Sequence, residues 1–255
     1  MKVMNFIRSR ISNLTKQTLA RRGIVLLRPK SKFGHDPWID IQRLADAWNY
    51  SITSFFDVGA NDGETALSAL RQFPRARVTS FEPHPDTFSR LIDRLGSEIR
   101  FTGVNAALGT EIGEVEMFEY HSSKINSLTA CAPYAVRHRA KSERILVQCQ
   151  TLDAYCEYNH IDQVDILKLD TEGYDLMVLQ GGRAMLRQQA FKFIYVEFND
   201  LRPKEGAFGG GLTPIDDLLR PRGYRFVASY TDYIVTQGEL FAVSNALFAL
   251  PPPPV

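Results

Sequence analysis

The sequence predicts an α/β domain: a doubly wound, mostly parallel sheet, preceded by a helical arm and interrupted by one β-rich insertion. Three observations carry that expectation. Short apolar runs of strand length alternate with amphipathic runs of helix length from residue 51 onward. The first strand, ending Asp57-Val58, runs into a turn bounded by Gly59 and Gly63 and then into a helix. A carboxylate, Glu82, closes the next strand about 20 residues later, where such folds place a ligand-binding acid.

The chain has 255 residues, 44% apolar and 23% charged, which suits one globular domain with an appendage. Residues 51–250 are read as that domain, 1–50 as a basic helical arm and linker, and 251–255 as a proline-rich tail. Cys131, Cys149 and Cys156 form no C-x-x-C pair, and their odd number argues against a disulfide framework and for a reducing cytoplasm. The five histidines lack metal-ligand spacing, so no metal is assigned. Net charge is +1, but residues 1–35 hold nine Lys or Arg and no acid. The remainder carries 21 basic against 29 acidic residues, a basic arm on an acidic body. No apolar run approaches the roughly 20 residues of a spanning helix, and the arm has no continuous apolar stretch of the secretion-signal kind.

In the arm, Val3, Ile7, Ile11, Leu14 and Thr18 recur at helical spacing among Arg8, Arg10, Lys16 and Arg21. Such a segment packs on its own body, joins a second copy, or lies weakly on the inner face of an anionic membrane. Gly23 stops that helix and Ile24–Leu27 reads as a strand. Ile39–Trp48 reads as a helix with Ile41, Leu44, Ala45 and Trp48 on one face. The alternation then follows: strand Ile52–Val58, helix Glu64–Gln72, strand Arg77–Phe81, helix Pro85–Leu95, strand Ile99–Asn105. Between Gly109 and Leu152 two strand-like runs, Val115–Tyr120 and Ile145–Gln150, flank a polar loop. Alternation resumes with strand Val164–Leu169, helix Tyr174–Arg187, strand Phe191–Phe198, helix Thr213–Arg220, and runs at Tyr224–Ser229 and Glu239–Ala246.

A strand–turn–helix with glycines at both ends of the turn lets a ligand approach the backbone, and the helix start offers unpaired N–H groups. The spacing is not G-x-G-x-x-G and no G-K-[ST] follows, which argues against a dinucleotide or a nucleoside triphosphate. Glu82 then suits the hydroxyls of a ribose. His84, between two prolines, reads as an exposed residue without a role.

Asp57-Val-Gly-Ala-Asn-Asp-Gly, Phe81-Glu-Pro-His-Pro, Asn105-Ala-Ala-Leu-Gly, Thr151-Leu-Asp and Lys168-Leu-Asp-Thr-Glu-Gly-Tyr-Asp occur in this order. The set resembles the FkbM family of methyltransferases from about Phe55 to Asn199. The resemblance implies a class I, Rossmann-like methyltransferase fold, S-adenosylmethionine as cofactor, and methyl transfer to oxygen. By the family pattern Gly59, Asn61 and Gly63 line the methionine part of the cofactor, Glu82 holds the ribose, and Asn105 with Ala106 borders the adenine. Asp57, Thr65, Pro83 and Asp170 complete the expected cofactor contacts. The arm, the insertion and the C-terminal tail lie outside it.

An alcohol acceptor is a poor nucleophile until a base takes its proton. Alternation puts Lys168 and Asp170 on one face of their strand, with Asp170 at its carboxyl end beside the crevice. Tyr195, Glu197 and Asn199 share a face of the next strand. Lys168 is expected to pair with Glu197 or Asp170, since a buried lysine needs a partner. Asp170 is the first candidate base; His121 and His138 of the inserted loop are rivals. The carboxylates Asp170, Glu172 and Glu197 leave a divalent ion as an alternative to direct base chemistry. Three functional readings stand: methylation of a sugar hydroxyl in a glycan or lipid-linked glycan, methylation of a small natural product or an RNA ribose, and a binding module that keeps the fold. The acidic body argues against nucleic acid.

Overall fold

The computed structural model describes residues 33–120, 123, 126–128, 143–201, 210–235 and 241–253. Residues 1–32, with the arm's apolar stripe and the run Ile24–Leu27, lie outside the described residues, as do His121, Cys131 and His138. Every element below belongs to the unit Gly34–Val255.

The first helix, α1 (Pro37–Ala47), starts where Asp36 accepts the N–H groups of Trp38 and Ile39 and Pro37 supplies a preset φ. The chain continues as β1 (Ser54–Val58), α2 (Glu64–Gln72), β2 (Arg77–Phe81), α3 (Pro85–Leu95) and β3 (Phe101–Val104). The insertion supplies β4 (Ala107–Leu108), β5 (Gly113–Glu119) and β6 (Glu143–Gln150). After it come α4 (Leu152–Tyr158), β7 (Val164–Leu169), α5 (Asp175–Gln180), α6 (Arg183–Arg187), β8 (Phe191–Phe198), α7 (Leu212–Leu219), β9 (Arg225–Val235) and β10 (Phe241–Ala249). The single helix expected over Tyr174–Arg187 breaks into α5 and α6 at Gly181-Gly182. There is no room for a Cβ at Gly181, which would stand 1.9 Å from the Gly109 carbonyl oxygen. Helix α4, capped by Thr151 through Ala154 N–H, had no counterpart among the expected elements.

The main sheet runs β3-β2-β1-β7-β8-β10-β9, parallel except for β10, which is antiparallel to both neighbours. The order reverses between β1 and β7, so the crevice that binds ligands in doubly wound sheets opens at their carboxyl ends. Side chains alternate between two cores. Phe55, Ile166, Phe193 and Tyr195 pack under α1, α2 and α3; Phe56, Val58, Leu167, Leu169, Ile194 and Val196 pack under α4 to α7. Ile41 and Ala45 are fully buried in the first of these cores, so the helix assigned to the linker is part of the body. All six residues of β7 are buried, as a strand covered on both faces requires. Asp165 ties β7 to the start of β1, accepting from Ser54 N–H and Thr53 Oγ1 at 2.9 Å and from the Tyr50 hydroxyl. The insertion forms a separate three-stranded sheet, β4-β6-β5, around Ala107, Met117, Val147 and Cys149.

Candidate active site

Leaving β1, the chain turns through Gly59 (φ 76°), Asn61 (φ 48°) and Gly63 (φ 84°) into α2. The Gly59 and Ala60 N–H groups both donate to the Phe81 carbonyl, at 3.0 and 3.1 Å, which binds the turn to the end of β2. A Cβ on Gly59 would stand 1.9 Å from the Asp170 carbonyl oxygen, and one on Gly63 would stand 2.6 Å from Leu91 Cδ1. Close approach inside the fold, together with left-handed φ, therefore dictates both glycines. This is a requirement of the fold, beside the approach of a ligand expected from the sequence. The opening they leave is at the start of α2, where Gly63 caps with no side chain and Thr65 sits half-buried in the first turn.

Glu82 directly follows β2 and is 6% exposed. Its Oε2 accepts the Asn61 N–H and its Oε1 the His84 N–H, each at 2.9 Å. Burial pushes its pKa up, and these two backbone donors pull part of that back. Each oxygen keeps a second lone-pair direction. Asn105 Nδ2 donates to the carbonyls of Glu82 (2.8 Å) and Pro83 (3.1 Å), and Ala106 beside it is buried. The turn, the acid and the Asn105 loop thus share one rim. His84 is 7% exposed rather than exposed as expected. Its Nδ1 caps α3 at Thr87 N–H, and its Nε2 lies 3.0 Å from Glu119 Oε1 of β5. Its place directly before Pro85, at the helix start, is the signal that marks the cap.

On the other side of the turn the side chains stack in two levels. Asp57 of β1 is level with Lys168 of β7, which is level with Tyr195 of β8. Lys168 Nζ lies 2.9 Å from Asp57 Oδ1 and 3.6 Å from Asp170 Oδ2, and donates to the Gly59 carbonyl at 3.1 Å. Of the two expected partners, Asp170 is in reach and Glu197 is not an ion-pair partner of Lys168, while the nearest acid, Asp57, was not among those expected. Burial works against the Lys168 charge, but Asp57 and then Asp170 outweigh it and raise its pKa. Asp57, expected among the cofactor contacts, is wholly buried beneath the turn and committed to this ammonium.

One level up, Asp170, Glu172 and Glu197 bring one carboxylate oxygen each within 4.8 Å of one another. Asp170 is the open member, with 44% of its side chain exposed, while Glu197 is 5% exposed and takes an amide N–H from Asn199 at 3.1 Å. Burial, followed by the charges of Asp170 and Asp175, pushes Glu172 up to about 8. Burial, then Asp170 and Glu172, raises Glu197 well above the usual carboxylate range.

The insertion reaches both sides of the crevice. Ser123 Oγ donates to Asn61 Oδ1 at 3.3 Å, and the buried Ser127 donates to the Glu172 carbonyl at 2.9 Å. Between the start of α3 and this segment, His84, Arg90, Glu119, Tyr120 and Asn126 line a polar cavity of about 400 Å³.

Proteins that resemble the chain in sequence include three methyltransferases. It is 26% identical to 2-O-methyltransferase NoeI of Sinorhizobium fredii over 64% of this chain and 69% of that protein. It is 28% identical to methyltransferase sdnD of Sordaria araneosa over 49% of this chain and 58% of that protein. It is 28% identical to hexuronic acid methyltransferase AglP of Haloferax volcanii over 56% of this chain and 55% of that protein. The chain thus spans little more than half of the last two. The Methyltransferase FkbM domain profile matches residues 57–226, from the buried Asp57 into β9. With the sheet order and the rim described above, this match places the chain in the FkbM family of S-adenosylmethionine-dependent methyltransferases.

Proposed function

We propose that this enzyme methylates a hydroxyl of a sugar, in a glycan or lipid-linked glycan. The observation that carries this reading is Asp170. It is a half-exposed carboxylate at the crevice end of β7, packed through its own backbone against the first glycine of the turn. An oxygen acceptor needs a proton acceptor there, and a nitrogen or sulfur acceptor needs one less. Support comes from two relatives, one termed a 2-O-methyltransferase and one a hexuronic acid methyltransferase.

The residues present fit the cofactor. Glu82 is held by one backbone N–H on each oxygen and keeps a lone pair on each for a vicinal diol. In this reading Glu82 and Pro83 take the ribose, and Asn105 and Ala106 border the adenine. Gly59, Asn61, Gly63 and Thr65 form the wall at the methionine end. S-adenosylmethionine supplies a methyl carbon activated by its sulfonium charge. The protein aligns the acceptor oxygen with that carbon, which is worth much of the acceleration. Asp170 is placed to take the hydroxyl proton, and the sulfur would leave as a neutral thioether as its bond to the methyl gives way to the C–O bond. Lys168, already neutralised by Asp57, steadies the Asp170 carboxylate from below.

An acceptor array assayed with methyl-labelled cofactor tests the proposal. Label transfer to free or lipid-linked saccharides is expected. Transfer confined to small aglycones or to RNA ribose would replace it, and cofactor binding without transfer to any acceptor class would favour a binding module.

A further inference from the structure

Both oxygens of Glu82 are held by backbone N–H groups, Oε2 by that of Asn61 and Oε1 by that of His84, each at 2.9 Å. The insertion grips the same two residues by their side chains. Ser123 Oγ donates to Asn61 Oδ1 at 3.3 Å, and Glu119 Oε1 lies 3.0 Å from His84 Nε2. Nδ1 of that ring faces the Thr87 N–H as an acceptor, so in the neutral ring Nε2 carries the hydrogen and donates it to Glu119. Glu82, His84, Glu119, Ser123 and Asn61 thus close a circuit that passes through both oxygens of the acid.

Each half of the circuit is built to move as a piece. On the insertion side, Phe118 and Ser127 exchange two backbone hydrogen bonds, at 2.8 and 3.2 Å, and Tyr120 N–H donates to Asn126 Oδ1 at 2.9 Å. The chain therefore doubles back between Phe118 and Ser127, and Glu119 and Ser123 belong to one short stretch. On the cofactor side, Pro83 and Pro85 fix their own φ and hold His84 between them in extended backbone, at φ −73° and ψ 121°. The His84 carbonyl also accepts the Phe88 N–H at 2.8 Å in the first turn of α3. A shift of the buried ring is passed to the N–H that holds Glu82, because the backbone between them has little freedom to absorb it. Asn61 stands in a turn whose preceding N–H groups, on Gly59 and Ala60, are bound to the Phe81 carbonyl at the end of β2.

We propose that the insertion is latched to the cofactor acid: His84 and Asn61 are positioning residues whose N–H groups aim the Glu82 carboxylate and whose side chains are set by Glu119 and Ser123. The seated insertion then holds Glu82 in the geometry that a ribose diol requires. By linkage, S-adenosylmethionine on Glu82 stabilises the seated insertion to the same degree. The inference rests on the reading of Glu82 as the ribose acid.

Titration calorimetry of the full-length protein with S-adenosylmethionine tests it without an acceptor. Glu119 has 37% of its side chain exposed, so its replacement leaves the fold intact. Glu119→Ala and Ser123→Ala are each expected to weaken binding about 3- to 10-fold, the worth of one lost hydrogen bond. Glu119→Gln, whose amide oxygen still accepts from Nε2, is expected to bind as wild type does. In a Glu82→Ala background, Glu119→Ala is expected to cost nothing further, because the latch acts through that acid. A second loss as large as in wild type is the mark of general loosening and overturns the proposal. Amide hydrogen exchange along β5 is expected to slow when the cofactor is added to wild type, and to stay as it was in the Glu119→Ala, Ser123→Ala double variant. Exchange along β5 that ignores the cofactor in wild type overturns the proposal as well. Glu82→Ala with wild-type affinity would remove the acid from the ribose and the latch with it. A weakened Glu82→Ala beside insertion variants that bind normally would remove the latch alone, so the two readings fail separately.

Discussion

Lys168 and Asp57 form a buried ion pair across adjacent strands, 2.9 Å apart, with 5% and 0% of their side chains exposed. The pair lies directly under the turn that carries Gly59, whose carbonyl the same ammonium holds. Breaking one partner of such a pair leaves the other charge uncompensated. Lys168→Met is expected to cost about 3–5 kcal/mol in urea unfolding. Asp57→Asn with Lys168→Met should recover part of that loss, because no charge is left stranded.

Glu82→Ala is expected to weaken S-adenosylmethionine binding by about 1–3 kcal/mol, the usual cost of an unpartnered buried polar group. Titration calorimetry on the folded variant reads this directly. Unchanged affinity would remove Glu82 from the ribose.

Asp170→Asn is expected to leave cofactor affinity near wild type and to lower turnover by about 10²-fold, the low end for a lost base. Single-turnover assays with an acceptor from the array separate the two effects. Turnover near wild type would make Asp170 structural and bring forward His121 or His138.

Gly59→Ala places a methyl 1.9 Å from the Asp170 carbonyl oxygen at a φ of +76°. Left-handed strain alone costs about 1–3 kcal/mol, and the overlap must also push β1 and β7 apart at the crevice. Loss of thermal stability and of cofactor binding together is the expected outcome, checked by thermal melts with and without the cofactor.

Burial, with the Asp170 charge next in weight, sets Asp175 at about 6 and Glu172 at about 8, both above their unfolded values. The folded chain therefore holds more protons than the unfolded chain across that window. Their contribution is fully present below the ordinary carboxylate range and is lost as pH rises through about 6 and then about 8. Urea midpoints measured from pH 5 to pH 9 should fall with rising pH. Glu172→Gln should flatten the upper part of that slope.

The fold was legible where local pattern and tertiary need agree. Helices α2 and α3 and strands β2, β7 and β8 have the bounds that the apolar periodicity and Pro85 announce. Helix α4 escaped notice because its seven residues, Leu152–Tyr158, are too few for periodicity to show. Of the site, Glu82 and Asp170 were readable from their positions at strand ends. Lys168 is legible as buried and paired, and Asp170 as one partner, but its nearer partner Asp57 is not. That depends on which strand lies on each side of β7, and strand order is a property of the whole sheet. His84 was misread for a related reason. Its burial comes from β5 of the insertion folding back over α3, a contact between residues 35 positions apart.

The inserted sheet brings its own small core, Ala107, Met117, Val147 and Cys149, and touches the crevice through hydroxyls at Ser123 and Ser127. It enters the chain after β3 and leaves it before α4, both fixed parts of the main sheet assembly. An element that carries its own packing can be exchanged without reopening the sheet beneath it. The seven-stranded sheet below it keeps its own two cores, so a change within the inserted strands leaves the packing around β1 and β7 in place.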